Sequence, residues 1–224
     1  MPELEPEKKP SRAVLFDLDG TLLDTLDDLA DAMNQVLIDL GAPTHDREAY
    51  RHFIGDGVEW LVRRALPTAQ TSDEQVQRSV AEMRRHYDAR WDRKTRPYPG
   101  IPELLDALAA RRLPLAILSN KPHDFVVKLA DRLLGRWSFA RVLGARPGVP
   151  KKPDPIATRA VAAELGIPPD AWLYLGDTGT DMQTARAAGM VAVGVLWGFR
   201  DADELRADGA QRLIARPLEL LDLL

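Results

Sequence analysis

The run Ala13-Val14-Leu15-Phe16 carries no polar side chain and ends in an aspartate. A strand that is apolar on both sides must be covered on both sides, and the interior of a helix-flanked parallel sheet provides that cover. Asp17 then stands at the carboxyl edge of the strand, where open α/β sheets bind ligands. Asp19, Gly20 and Thr21 follow. Gly20 lets the chain turn sharply and brings the backbone close to whatever sits there. Two carboxylates crowded at such a point repel unless a cation or a proton lies between them. The stretch therefore reads as a Mg²⁺ site with an aspartate nucleophile. An aspartate at a strand end also serves as a turn former or a helix cap, and this stretch alone leaves both readings open.

The rest of the chain supplies the sheet. After Tyr98-Pro99-Gly100, helical periods over 101–111, 124–134, 156–165 and 181–188 alternate with strand patterns over 115–118, 139–143, 172–175, 191–196 and 213–214. Strands alternating with helices predict an α/β fold with a doubly wound, Rossmann-like parallel sheet. Between residues 22 and 95 no strand pattern is found. Leu26, Leu29, Ala30, Met33, Val36, Leu37 and Leu40 recur at helical spacing. Asp24 or Thr25 can cap that helix, and Gly41 can end it. Further helices are expected over 47–53, from Val58 to Leu66, and over 73–91. The organisation expected is a tail over 1–11, an α/β core of 12–22 plus 97–224, and an all-helical cap over 23–96.

Composition narrows the function class. The formal net charge of −4 gives no reason to expect a nucleic-acid partner. The absence of cysteine excludes disulfides and thiolate metal sites. No apolar run is long enough to span a bilayer, and Met1 to Ser11 has no apolar core of the kind a signal peptide needs. A cytoplasmic protein is expected, as a monomer or homodimer. His45, His52, His86 and His123 are dispersed and lack ligand spacing.

Three strands end in similar polar groups, namely Asp17-x-Asp19, Ser119-Asn120, and Asp177 with Asp181 a helical turn later. Between the last two lies Lys151-Lys152-Pro153-Asp154. With the cap segment Phe53-Ile54-Gly55-Asp56-Gly57-Val58, Tyr98-Pro99-Gly100, Ser119-Asn120-Lys121-Pro122 and Gly176-Asp177-Thr178-Gly179-Thr180-Asp181-Met182, the chain resembles the haloacid dehalogenase-like hydrolase superfamily. Within it, the chain is similar to the phosphoglycolate phosphatase-like members with a helical cap. The resemblance implies a phosphatase acting on a small phosphorylated metabolite, with phosphoglycolate the leading candidate.

The chemistry of phosphate esters fits these residue types. The anionic oxygens of a monoester repel nucleophiles, so a catalyst must neutralise them and hold attacker and leaving group in line. Asp17 would attack phosphorus and form an aspartyl-phosphate. Asp19 would protonate the leaving oxygen and then activate water. The family pattern implies Asp17, the main-chain carbonyl of Asp19 and Asp177 as Mg²⁺ ligands, with Asp181 behind them or as a further ligand. It implies Ser119, Asn120, Lys152 and Thr21 around the phosphoryl group, and it selects Lys152 over Lys151 because lysine precedes proline. Asp181 could equally be an N-cap for its helix. Gly55, Asp56 and Gly57 form the cap loop expected to face the substrate. Competing readings are a phosphosugar mutase of the same superfamily and a non-catalytic phosphate-binding or regulatory module. A dehalogenase needs only the first aspartate, so Asp19 argues against it.

Overall fold

A computed structural model of the chain describes residues 12–224; the tail expected over 1–11 lies outside the described residues. In chain order, β1 (Ala13–Phe16) leads through a tight loop to β2 (Leu23–Asp24). Helices α1 (Leu26–Asp39), α2 (Arg47–Phe53), α3 (Val58–Ala65) and α4 (Asp73–Asp88) follow, and β3 (Arg96–Pro97) returns the chain. The remainder runs α5 (Ile101–Ala110), β4 (Leu115–Pro122), α6 (His123–Leu134), β5 (Arg141–Ala145), α7 (Ile156–Glu164) and β6 (Trp172–Gly176). It continues through α8 (Gly179–Ala188), β7 (Val191–Val195), α9 (Ala202–Ala207) and β8 (Arg212–Ile214) to a 3₁₀ segment, Pro217–Leu223.

The sheet is parallel throughout, in the order β5-β4-β1-β6-β7-β8. Phe16 pairs with Ile117 on one side and Leu175 on the other. Asp17, Ser119 and Asp177 therefore leave the sheet along a single edge. The chain winds outward through β4 and β5, then crosses β1 to lay down β6, β7 and β8. That reversal beside β1 opens the crevice in which such sheets take ligands.

Alternation along the strands divides the core in two. Val14, Phe16, Ile117 and Leu175 face Leu104, Leu108 and Leu129 of α5 and α6. Ala13, Leu15, Ala116 and Tyr174 face Val161 of α7 with Met182 and Ala185 of α8. The four helices between β2 and β3 bury a separate cluster that includes Met33, Leu37, Tyr50, Leu61, Met83 and Tyr87, into which Phe125 and Phe199 project from the sheet side. No helix of the described residues is long and apolar enough to cross a membrane.

Several elements depart from the periodicity reading. Leu23–Asp24 and Arg96–Pro97 form an antiparallel ribbon where the sequence shows no strand pattern, because two residues carry no period. The strand β4 continues through Ser119 and Asn120, with a register irregularity between Leu118 and Pro122. The helix α8 begins at Gly179, so Asp181 is not its N-cap. Thr178 occupies that position, and the Asp181 side chain completes a capping box three residues in. The short α9 has no counterpart in the periodicity. Only Leu205 of it is buried, and Asp201 accepts from the Asp203 and Glu204 N–H groups at its start.

Candidate active site

Lys152 joins the strand ends. Its ammonium donates to Asp17 Oδ1 at 2.7 Å, to Asp181 Oδ1 at 2.6 Å and to the Leu118 carbonyl at 3.2 Å. All three charged side chains are buried. The other oxygen of Asp181 accepts from the Thr178 N–H and hydroxyl, at 3.2 and 2.7 Å. Asp177 is fully buried: Oδ1 accepts from the Thr21 hydroxyl at 3.1 Å and Oδ2 from the Phe199 N–H at 2.8 Å. Thr21 thus differs from the expected phosphoryl contact, since its hydroxyl is directed at a carboxylate.

Asp177 is wedged between two glycines. A Cβ on Gly20, whose φ is +87°, would lie 2.1 Å from Asp177 Oδ2. One on Gly198 would lie 2.2 Å from Asp177 Cβ and 2.5 Å from the Gly20 carbonyl. Any side chain at either position would displace the carboxylate, so Gly20 serves close approach as well as the turn.

Single carboxylate oxygens of Asp17, Asp177 and Asp181 lie within 4.8 Å of one another. One buried ammonium serves Asp17 and Asp181, while Asp177 accepts from neutral donors, and a divalent cation would make up the missing charge. The donors are hard oxygens, which suit Mg²⁺. Burial raises Asp17 well above its ordinary range; Lys152 opposes the shift, while Asp181 and Asp177 add to it. Burial, reinforced by Asp181, raises Asp177 to about 7.

A pH dependence follows for the metal-free protein. The folded chain holds a proton on Asp177 up to about pH 7, whereas the unfolded chain releases it near the ordinary value of 3.8. The folded state therefore binds more protons between those values, and stability falls as pH rises through them. At about 1.4 kcal/mol per unit the loss amounts to a few kcal/mol. Thermal melts in EDTA should give a lower midpoint at about pH 8 than at about pH 5, and Mg²⁺ should recover more at the higher pH. A midpoint that stays level or rises over that interval in EDTA would contradict the assignment.

Asp19 is separated from this cluster. Its Oδ1 accepts from the Lys121 ammonium at 3.0 Å, and both side chains are nearly buried. The Ser119-Asn120-Lys121-Pro122 motif assigns Lys121 no role; the fold brings its ammonium to Asp19. Burial opposes its charge, but Asp19 and Tyr87 raise its pKa on balance. Ser119 Oγ accepts from the Lys121 N–H at 3.2 Å. The Asn120 side chain donates to the carbonyls of Lys152 and Gly55, at 3.1 and 3.2 Å, and accepts from the Lys152 N–H at 2.9 Å. Asn120 therefore ties the lysine loop and the insert loop to β4.

A cleft opens above Asp17, Asp19, Ser119, Asn120 and Lys121 and is closed by the helical insert. Gly55 and Gly57 line it. Asp56 does not: it accepts from Thr180 at 2.8 Å and from Arg64, so it pins the insert to α8. Arg51 reaches the Gly198 carbonyl at 2.5 Å, and Arg200 reaches back to that of Ile54 at 3.0 Å. These bonds hold the insert down over the strand ends.

Residues 14–195 match the model of the haloacid dehalogenase-like hydrolase family. The chain is 36% identical over 219 residues to a phosphoglycolate phosphatase of Chromobacterium violaceum, covering 96% of this chain and 97% of that protein. It is also 36% identical over 207 residues to a phosphoglycolate phosphatase of Pseudomonas putida, covering 91% of this chain and 76% of that one. A crystal structure from Lactobacillus delbrueckii subsp. bulgaricus superposes with a TM-score of 0.88 at 32% identity, covering 95% of this chain and 97% of its own.

Proposed function

The chain belongs to the haloacid dehalogenase-like hydrolase family, and from that premise we propose that it is a Mg²⁺-dependent phosphatase of small phosphate monoesters. Phosphoglycolate is the first substrate to test, since the similar C. violaceum and P. putida proteins carry that activity in their names. The observation that carries this reading is the buried cluster of Asp17, Asp177 and Asp181, with Lys152 bonded to Asp17 and Asp181, at the switch point of the sheet.

Asp17 attacks phosphorus and carries the phosphoryl group as an acyl phosphate. Lys152 holds the Asp17 carboxylate in place and faces the charge that develops on the phosphoryl oxygens. Ser119 and the N–H groups beside Asn120 donate to those oxygens. Asp19 hands a proton to the departing oxygen and then takes one from the water that cleaves the intermediate; Lys121 orients it. When bound, Mg²⁺ supplies charge neutralisation, held by Asp17, the Asp19 carbonyl and Asp177. Each Asp181 oxygen takes two donors, Lys152 and the Tyr174 hydroxyl on Oδ1 and the Thr178 N–H and hydroxyl on Oδ2, whereas each Asp177 oxygen takes one, which favours a place for Asp181 behind the ion. Residues 23–96 act as a cap on a core of 12–22 and 97–224. Their own apolar cluster and the β2–β3 ribbon that carries both connections support this division. A closed cap excludes water from the transfer step.

The test is phosphate release from phosphoglycolate, sugar phosphates, nucleotides and pyrophosphate. Release should require Mg²⁺, stop in EDTA and return when the ion is restored. Release indifferent to EDTA, or none from any ester, would overturn the proposal.

A further inference from the structure

The insert brings to the cleft one hydroxyl whose proton meets no acceptor among the described residues. Tyr87 of α4 is 3% exposed and lines the cleft. Its ring packs edge-on against Phe125, with centroids 4.9 Å apart at 70°. The Lys121 ammonium stands over the same ring, 4.6 Å from its centroid. The phenol oxygen is buried, with the Lys121 ammonium as its polar neighbour; an ammonium only donates, so the phenol proton has no acceptor among the described residues. A buried hydroxyl is costly to leave without its full set of partners, and the residue that carries it lines the cleft. Burial raises Tyr87 to about 12, so the phenol keeps the proton it could donate.

The rest of that wall offers little to a polar leaving group. Leu29, Val58, Leu61 and Val80 are apolar. Arg84 also lines the cleft, but its guanidinium is paired with Asp124 at 2.5 Å. Lys121 gives one bond to Asp19, and an ammonium has three donors. An anionic oxygen beside Tyr87 would meet both an O–H donor and a neighbouring positive charge.

We propose that Tyr87 is a specificity-determining residue of this site. Its hydroxyl donates to a carboxylate oxygen of the leaving group and so selects phosphate monoesters of short hydroxy acids over alkyl phosphates of equal length. The proposal rests on the phosphatase reading of the same site. A substrate of this class places its carboxylate a carbon or two beyond the ester oxygen. Tyr87→Phe removes the donor and keeps the ring that Phe125 and Lys121 pack against.

Two phosphonates that cannot be hydrolysed read the site without turnover. Calorimetry in Mg²⁺ should show wild type binding 3-phosphonopropionate at least about tenfold more tightly than propylphosphonate, the ratio a hydrogen bond to a charged group sustains. Tyr87→Phe should lower that ratio about tenfold, leaving the preference that the Lys121 charge supplies. In kinetics, the kcat/KM ratio of phosphoglycolate to ethyl phosphate should fall about tenfold or more in the variant. Equal binding of the two phosphonates by wild type, no binding of either, or the same ratio in both proteins would overturn the assignment. Loss of the assignment with Mg²⁺-dependent phosphate release intact would leave the phosphatase reading standing; no release from wild type would remove that reading itself.

Discussion

Asp17→Asn is expected to lower phosphate release on the order of 10⁴-fold or more, the scale on which removal of a covalent nucleophile acts, while the chain remains folded. The amide has the shape of the carboxylate and can still accept from Lys152. Lys152 keeps its partner Asp181 at 2.6 Å, so no ammonium is left unpaired. The amide also ends the repulsion between position 17 and the Asp181 and Asp177 carboxylates, which push Asp17 upward. Thermal stability in EDTA should therefore hold or rise, and the defect should lie almost wholly in chemistry. Phosphate release and a melting curve on one preparation check both halves. A variant that keeps a tenth of the activity would place the nucleophile elsewhere.

Lys152→Met is expected to be the most damaging single change to stability at the site. It leaves Asp17 and Asp181 buried without the cation they share and removes a donor from the Leu118 carbonyl. Breaking a buried ion pair from one side costs about 3–5 kcal/mol, and in a domain of this size each kcal/mol lowers the melting midpoint by about 2–4 °C. A drop of roughly 6–20 °C is expected. The neighbouring Lys151→Met is the control. Lys151 is exposed, and a surface change of this kind shifts stability by about 0.5 kcal/mol at most. Equal drops for the two lysines, read by thermal melts in the same buffer, would contradict the charge balance described for the cluster.

These two lysines also mark how far residue patterns reach. The β1 strand is legible because Ala13–Phe16 has no polar side chain, and Asp17 is legible because it ends that run. Adjacent lysines carry no local signal that separates them; only the lysine-proline pattern of the family does. The spacing Thr178-x-x-Asp181 fits a capping box, but taking Asp181 as the N-cap misses it, and α8 starts before Asp181. Lys121 and Tyr87 are a different case. Lys121 has no assigned role in its motif, and a tyrosine on an apolar helical stripe has an ordinary explanation in the core. Their meeting beside Asp19 depends on how α4 folds back over the sheet edge, which no local period encodes. Asp56 shows the converse. Its place between two glycines in a loop fits a substrate contact, but Arg64 and Thr180 occupy its carboxylate once the insert is docked.

Covalent trapping tests the mechanism at its centre. Wild type turning over phosphoglycolate in Mg²⁺ is quenched in acid, reduced with borohydride and mapped by peptide mass spectrometry. An acyl phosphate on Asp17 is reduced to homoserine, so conversion should be found at position 17 alone and only when substrate and Mg²⁺ are both present. Turnover with no conversion at position 17, or with the phosphoryl group recovered on Ser119 or another residue, would contradict the mechanism.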